Sequence, residues 1–344
     1  MSKIVFGSLR ESAGKTSLIV GLAKGLQQEF AFIKPFGDRL LYRKKRLWDY
    51  DAALITNIFG LSENPEGISI GFDHSKLRYM YDEDTTKQKL NDLAAQVGGG
   101  GKLLLAEGGR DMSYGISVHL DAKTVAKTIG ATLVMVIAGD EDTVLDDITY
   151  INRCVNMQDV TFGGVIVNKI KNMDDYRDLY EPAIKATGIP VLGAVPYREE
   201  LTYRSVGLLA DRMLAKVIAG EGSLNQVVKN IVIGSMSASK VMHTPLIEAE
   251  NKLFITSGDR DDMILAAMET GAVGIVLTNN ILPPSNLIAQ AAQKGIPMLL
   301  VTTDTFHTAK QIDDMEPLLT QDETGRIELL ATLAKDHVNL GGIL

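Results

Sequence analysis

Cysteine is almost absent from this chain, which has one, Cys154, among 344 residues. A single thiol excludes an internal disulfide, and the five scattered histidines form no His/Cys cluster with the ligand spacing of a zinc site. The residues around Cys154 are typical of a helix end. We interpret it as a buried, unreactive thiol in a protein of the reducing cytoplasm.

Long apolar runs and an excess of basic residues are also missing. No apolar run reaches the roughly 18–20 residues needed to span a bilayer. The first six residues lead directly into a loop instead of a signal peptide. The net charge is −8 at pH 7, whereas nucleic acids are bound by basic surfaces. We therefore expect a cytoplasmic protein with no membrane and no nucleic-acid partner.

What the chain does have is a strand, a glycine-bounded loop and a helix at its beginning. At such a junction, backbone N–H groups and the positive end of the helix dipole face outward and can cradle phosphates. Lys15 can reach the terminal phosphates, and the Thr16 hydroxyl can ligate magnesium. The pattern predicts ATP and magnesium as cofactors. The predicted nucleotide-binding residues in this segment are Ser12, Ala13, Gly14, Lys15, Thr16 and Ser17.

This loop is longer than the common phosphate-binding loop. Six residues separate Gly7 from Gly14, whereas the common form has four residues between its glycines. The alternative is an ordinary helix N-terminus that is capped by Ser12.

Residues 1–200 alternate short apolar strands with helical segments. Several of the strands are continuous apolar runs, which are typical of strands buried on both faces of a parallel sheet. The pattern predicts an α/β fold, a doubly wound, mostly parallel sheet of the P-loop NTPase type. The predicted strands are 3–6, 30–33, 102–106, 131–137, 164–167 and 191–195, and the predicted helices are 16–27, 85–97, 124–129, 142–154 and 174–187.

A second, smaller α/β pattern follows an amphipathic stretch at 201–219. We therefore divide the chain into a nucleotide-binding domain, residues 1–218, and a second domain, residues 224–335. Its last helix could pack on either domain. The predicted strands are 230–233, 253–256, 274–277 and 298–301, and the predicted helices are 261–270, 285–294, 305–313 and 323–335.

Magnesium at a phosphate-binding loop needs oxygen ligands, and two acidic positions can supply them. Glu107 directly follows the apolar strand at 102–106, and Asp51, with Asp49 beside it, precedes a helix. We predict Thr16, Asp51 and Glu107 as metal ligands. The alternatives are a solvated loop residue for Glu107 and a helix N-cap for Asp51.

Two further polar residues follow strands at the same predicted edge. Lys34 can reach the β or γ phosphate as a second cation, and the alternative is a surface lysine. Asn168 carries an amide that can match an adenine edge. We therefore predict catalytic roles for Lys15 and Lys34 and a nucleotide contact for Asn168. In the second domain, the turn at 257–262 could bind an anion, and the alternative is a helix capped by Asp259 or Asp261.

Together these residues resemble the dethiobiotin-synthetase-like branch of P-loop proteins. That branch has a stretched glycine loop, a Lys-Pro after the second strand, an acidic residue before the next helix and a Glu-Gly after a later strand. Residues 106–115, AEGGRDMSYG, are more similar still to the N-terminal region of long bacterial phosphate acetyltransferases and their stand-alone relatives. In those proteins a domain named for the motif Asp-Arg-Thr-Gly-Gly follows, and Asp259-Arg260 matches the first two residues of that motif.

Two departures limit what the resemblance implies. Ser12, with Glu11 beside it, stands where the synthetase branch has a glutamate, and no residues match those for its diamine substrate. The acetyl-transferring domain would lie beyond the second domain, so we do not expect acetyl transfer from a chain that ends at Leu344.

The leading hypothesis is a magnesium-ATP-binding protein with a sensory or regulatory second domain. That domain would bind a small molecule or a partner protein, and nucleotide would shift the arrangement of the domains. The resemblance also implies a homodimer. The alternative is an ATP-dependent ligase that phosphorylates a carboxylate or carbamate, with Arg110, Ser113 and Tyr114 lining the acceptor pocket. A third hypothesis is a structural scaffold with a vestigial loop.

Overall fold

A computed structural model of the chain describes residues 2–26, 29–43, 46–234 and 248–343. The chain forms two compact units. The first comprises Met1–Arg198 together with Thr324–Leu344, and the second comprises Glu199–Glu323.

The first unit is built on a six-stranded sheet in the order β2-β5-β1-β6-β7-β8, in which every neighbouring pair is parallel. The central strands are buried on both faces, which explains their continuous apolar sequences. The doubly wound sheet predicted from the sequence is confirmed. The strands of this unit are β1 Lys3–Ser8, β2 Phe30–Ile33, β3 Leu40–Arg43, β4 Arg46–Asp49, β5 Leu103–Glu107, β6 Thr132–Ala138, β7 Thr161–Ile170 and β8 Val191–Pro196.

Aspartate is the N-cap residue of five helices in this unit. Asp49, Asp73, Asp82, Asp121 and Asp140 are N-caps, and each side chain accepts a hydrogen bond from the backbone N–H three residues on. The predicted helix 16–27 ends at Gly25, and residue 27 lies outside the described residues. The helices are Lys15–Gly25, Tyr50–Phe59, His74–Met80, Glu83–Val97, Ala122–Ile129, Glu141–Cys154 and Thr324–His337, with consecutive segments at Met173–Asp175, Tyr176–Tyr180 (a π-helix) and Glu181–Ala186.

The hairpin of β3 and β4 was not among the predicted elements, whereas the helix expected after Asp49 and Asp51 is Tyr50–Phe59, which begins one residue before Asp51. The hairpin strands have four residues each. Their sequences mix arginine with apolar residues, so they lack the continuous apolar run by which the sheet strands were found. Leu41 pairs with Trp48 across the hairpin, and Trp48 donates a hydrogen bond from Nε1 to Glu66 at 3.1 Å.

The second unit has a five-stranded sheet in the order β10-β15-β14-β13-β12. Four strands are parallel, and β10 joins the edge antiparallel to β15. A smaller α/β fold was predicted here and is confirmed. The strands are β9 Arg204–Ser205, β10 Lys216–Ala219, β11 Val227–Val228, β12 Asn230–Ile233, β13 Lys252–Ser257, β14 Gly274–Thr278 and β15 Met298–Leu300, and the helices are Val206–Arg212, Asp261–Glu269, Ser285–Lys294 and Thr305–Asp313.

The boundary between the two units lies at Arg198, earlier than residue 218, where the first domain was predicted to end. Val206 and Leu209 are buried in one hydrophobic cluster with Leu253, and β10 is a strand of the second sheet. The amphipathic stretch at 201–219 is therefore a helix and a strand of the second unit, because its apolar residues are buried there.

The last helix, Thr324–His337, belongs to the first unit. It crosses the helix Lys15–Gly25 so closely that a Cβ on Gly21 would collide with the carbonyl of Leu330. Glycine is therefore required at position 21 for this packing. The predicted second domain, residues 224–335, includes this helix, whereas in the structure the helix is part of the first unit.

Two expectations from composition can be compared with the structure. Cys154 is exposed, so the prediction of a buried thiol is wrong. The buried face of its helix runs through Val144, Ile148 and Ile151, and the helix ends at Cys154, before that face continues. Among the described residues, every helix is too short or too polar to cross a bilayer.

Candidate functional site

The loop between β1 and the first helix holds unusual backbone conformations. Ser12 has φ of +57° and Gly14 has φ of +92°, and Gly14 is the N-cap residue of the helix. No side chain caps this helix, so the alternative in which Ser12 is the cap is not observed. The first N–H groups of the helix are therefore available to an anion.

Lys15 is buried against the loop and the end of β5. Its Nζ donates hydrogen bonds to Ser8 Oγ at 2.8 Å and to the carbonyl oxygen of Arg110 at 3.1 Å. Burial lowers the pKa of Lys15, while the negative charge of Glu107 acts in the opposite direction. The lysine ammonium is thus held at the carboxyl edge of the sheet by oxygen atoms that an anionic ligand can replace.

Thr16 and Glu107 were predicted as metal ligands, and the structure brings them together. Thr16 Oγ1 donates to Glu107 Oε1 at 3.0 Å. Glu107 is 2% exposed, and its Oε2 has no hydrogen-bond partner among the described residues. Burial raises the pKa of Glu107 to about 7, although the nearby Lys34 opposes that shift. A buried carboxylate oxygen without a partner, next to a threonine hydroxyl, fits a hard cation such as magnesium.

Lys34 is the centre of a buried cluster of carboxylates. It is 1% exposed, so the alternative of a surface lysine is wrong. Burial disfavours its charged form, but the surrounding carboxylates outweigh that effect and raise the pKa of Lys34 well above its ordinary value. Its Nζ lies close to oxygen atoms of four acidic residues: Asp51 (2.5 Å), Asp38 (2.7 Å), Asp49 (3.3 Å) and Glu107 (3.5 Å).

Asp51 contacts two cations. Besides Lys34, Arg39 donates from Nη1 to Asp51 Oδ2 at 3.1 Å. Burial acts against ionisation of Asp51, but Lys34 and Arg39 outweigh it and lower its pKa to about 2. The N-cap of the following helix is Asp49, not Asp51, so the alternative role for Asp51 is not observed. Asp51 is therefore an ionised, buried carboxylate beside the Thr16–Glu107 pair.

Asp38 and Arg39 belong to this cluster but were missed by the sequence analysis. Asp49 Oδ2 accepts hydrogen bonds from the backbone N–H groups of both residues, at 3.0 and 3.1 Å. The turn that brings them to Lys34 is therefore fixed by a residue eleven positions further along the chain. The one sequence signal is Gly37, where a Cβ would lie 2.6 Å from the ring of Phe72.

Asn168 lies on the other side of the loop. Its Nδ2 donates to the carbonyl oxygen of Ala13 at 2.9 Å, and its Oδ1 accepts from the backbone N–H of Lys169 at 3.0 Å. Asn168 is thus next to the phosphate-binding loop, as its place after the β7 segment 164–167 implies. The contact with a base stays a prediction, and in this structure the amide binds the loop itself.

Residues 108–115 extend from Glu107 along the same edge. The guanidinium of Arg110 lies 4.9 Å from the ring centroid of Tyr114, and that ring stacks on Phe36 at 4.7 Å. His74 contacts both rings edge-on. Asp111 accepts from Ser113 Oγ at 2.6 Å, which fixes the turn. Arg110 and Tyr114 are therefore neighbours of the cluster, whereas Ser113 is bound within its own turn.

In the second unit, the turn at 257–262 leads from β13 into a helix. The N-cap residue is Arg260, without a side-chain cap, so neither Asp259 nor Asp261 caps this helix. The guanidinium of Arg260 pairs with Asp262, with its Nε 3.0 Å from Oδ1.

Two known families match this chain, one after the other along the sequence. Residues 3–205 match the family described as AAA domain, and residues 208–315 match the DRTGG domain. The phosphate acetyltransferase of Pseudomonas putida is 28% identical over 253 residues, which are 67% of this chain and 35% of that protein. The phosphate acetyltransferase of Nitrosomonas europaea is 23% identical over 356 residues, which are 94% of this chain and 49% of that protein. The chain thus spans between a third and a half of the length of these relatives.

Among solved structures, part of this chain is similar to the CBS and DRTGG domains of the regulatory region of Clostridium perfringens pyrophosphatase, in complex with the activator diadenosine tetraphosphate. The identity is 19%, the match covers 36% of this chain and 53% of that one, and the TM-score is 0.30, too low to indicate a shared fold by itself.

Proposed function

The chain belongs to the AAA domain family, with a DRTGG domain after the P-loop domain, and on that premise we propose that it binds ATP with magnesium at residues 12–17. The observation that carries the proposal is the Thr16–Glu107 pair, because it sets a hydroxyl and a buried carboxylate at the start of an uncapped helix. Phosphates would accept hydrogen bonds from the backbone N–H groups of the loop.

Magnesium would be held by Thr16, Asp51 and Glu107. The donor set fits, because it consists of oxygen atoms and includes the unpartnered Glu107 Oε2. When bound, the ion would neutralise phosphate charge. Lys34, which already contacts both carboxylates, would add positive charge beside it.

We assign catalytic roles to Lys15 and Lys34. In a phosphoryl transfer, their positive charges would stabilise the negative charge on the phosphate oxygens. Lys15 would exchange its contacts with Ser8 and the Arg110 carbonyl for phosphate oxygens. Because both lysines are buried, their charges act in a weakly screened environment.

Isothermal titration calorimetry of the full chain with ATP and magnesium tests this proposal. Lys15→Ala should lower the affinity by at least about tenfold, because charge-assisted hydrogen bonds to phosphate are lost. Lys24→Ala is the matched control, since Lys24 lies on the same helix and is exposed. The proposal is wrong if the wild-type chain does not bind ATP, or if Lys15→Ala binds ATP as tightly as Lys24→Ala does.

A second candidate is an ATP-dependent ligase acting on a carboxylate or carbamate. It is favoured by Arg110 and Tyr114, which contact each other directly beyond Glu107 and could line an acceptor pocket. Release of ADP that depends on a small acid or amine would support this candidate. An ATPase rate that is the same across a panel of such metabolites would exclude it.

We further propose a sensory or regulatory role for the second unit, in a cytoplasmic homodimer. The DRTGG match over residues 208–315 supports this role. Acetyl transfer is not part of the proposal, since the chain covers 35% and 49% of the lengths of the two relatives. Small-angle scattering with and without magnesium-ATP tests it, and an unchanged profile and mass would exclude a nucleotide-driven switch.

A further inference from the structure

Two consecutive side chains at the end of β7 bind two consecutive carbonyl groups of the loop. Asn168 Nδ2 donates to the carbonyl oxygen of Ala13 at 2.9 Å, and Lys169 Nζ donates to the carbonyl oxygen of Ser12 at 2.7 Å. The partners are 155 and 157 positions apart in the sequence, so only the fold brings them together.

The backbone on both sides of this contact is in the left-handed region. Ser12 has φ of +57° and Lys169 has φ of +64°, which are unfavourable for residues with a Cβ. Such conformations persist where the surroundings hold them, and they concentrate at functional sites. Gly14 adds a steric constraint, because a Cβ there would lie 2.5 Å from Asn168 Nδ2.

Because of the geometry of the peptide bond, these contacts with carbonyl groups also set the direction of the N–H groups in the loop. All peptide bonds of the described residues are trans, so each carbonyl points opposite to the N–H of the same peptide plane. When Lys169 holds the carbonyl of Ser12, it directs the N–H of Ala13 away from β7. When Asn168 holds the carbonyl of Ala13, it directs the N–H of Gly14 in the same way.

We infer that Asn168 and Lys169 are a pair of positioning residues that hold the apex of the loop, residues 12–14, with its N–H groups turned outward for phosphate. This inference rests on the proposed function, because it concerns the same loop. It assigns to Asn168 a role on the phosphate side of the nucleotide, in place of the predicted contact with the base.

The two roles of Asn168 differ in what they require of the ligand. A residue that contacts the base affects ATP but not inorganic tripolyphosphate, which has no base. A residue that orders the phosphate loop affects both ligands by the same factor. Tripolyphosphate with magnesium is therefore the second probe.

The experiment measures the affinity of the full chain for magnesium-ATP and for magnesium tripolyphosphate by calorimetry. Lys169→Met should weaken both by about threefold to tenfold, because the hydrogen bond is charge-assisted but exposed. Asn168→Ala should weaken both by about tenfold or more, since its amide is buried. Lys169→Arg keeps a cationic donor and should restore most of the loss. Lys171→Met, an exposed lysine two positions further on, is the matched control and should leave both affinities unchanged.

Equal losses for the two ligands, with recovery in Lys169→Arg, support the inference. A loss for ATP alone overturns it and returns Asn168 to the base, and unchanged affinities in Lys169→Met also overturn it. If Asn168→Ala fails to fold by thermal melting, Lys169→Met and Lys169→Arg decide, because residue 169 is exposed. A wild-type chain that binds neither ligand shows instead that the proposed function is wrong.

Discussion

The two parallel sheets place different chemistry at their carboxyl edges. In the first unit, Lys34 and Glu107 at the ends of β2 and β5 are buried as charged or titratable groups. In the second unit, Thr256 and Thr278 at the ends of β13 and β14 are fully buried, and the contacts there join hydroxyl groups, such as Thr278 Oγ1 to Thr305 Oγ1 at 3.0 Å. The same topology gathers polar side chains in both sheets, so the residue types decide what each edge can bind.

The sharpest test of this contrast is Lys34→Met. It removes the cation that faces four carboxylates and should lower the free energy of unfolding by about 3–5 kcal/mol. Trp48, the one tryptophan of the chain, lies in the first unit, so its fluorescence in a urea titration reports on that unit. Lys24→Met removes an exposed ion pair with Glu328 and should cost less than about 1 kcal/mol. Equal costs for the two variants would show that the carboxylate cluster does not depend on Lys34.

The charged edge should also make stability depend on pH. The pKa of Glu107 is about 7 in the fold against 4.5 for the ordinary group, so between these values the folded protein holds a proton that the unfolded chain has released. The free energy of unfolding should therefore fall as the pH rises from 4.5 to 7, by about 2 kcal/mol. The shift of Asp51 acts in the opposite direction, but only between pH 2 and 3.8.

Urea titrations in EDTA at several pH values between 4.5 and 7.5 measure this slope. Glu107→Gln cannot ionise and should flatten it. Part of the slope should persist, because burial also raises the pKa of Asp49. A slope in Glu107→Gln as steep as in the wild type would exclude Glu107 as its source.

The smallest effect is expected at the buried contact between threonine hydroxyl groups in the second unit. Thr278→Val keeps the shape of the side chain and removes the hydroxyl contact with Thr305, so it should cost about 1 kcal/mol. Because no threonine titrates, the cost should be the same at pH 5 and pH 7.5. Hydrogen exchange of the β14 amides measures it, and a cost that changes with pH would show that a titrating group takes part in this contact.

The parallel strands of both sheets were predictable because their signal is local, whereas the antiparallel edge strand β10 was not predicted. β2 and β12 were predicted with their observed bounds, since a short apolar run between turn residues indicates a buried strand without knowledge of its neighbours. Lys34 and Glu107 were predictable for the same reason: each directly follows such a run, and strand ends meet at one edge.

The rest of the site depends on contacts between distant residues. Asp38 joins the cluster because Asp49 binds the N–H groups of the turn, and the neighbouring Gly37 by itself does not indicate that contact. Asn168 was correctly placed near the loop but was expected to face a base. Its contact with the Ala13 carbonyl depends on the strained conformation of a loop 155 positions away.

The packing of the last helix on Gly21 bears on how this protein is divided for expression. A fragment that stops at residue 205, where the AAA domain match ends, would leave the first helix without the surface that covers it. That helix carries Lys15 and Thr16 in its first turn, so the phosphate-binding loop is supported by residues more than three hundred positions downstream. A fragment made to test the proposed ATP binding should therefore join residues 1–198 to residues 324–343 and omit the segment between them.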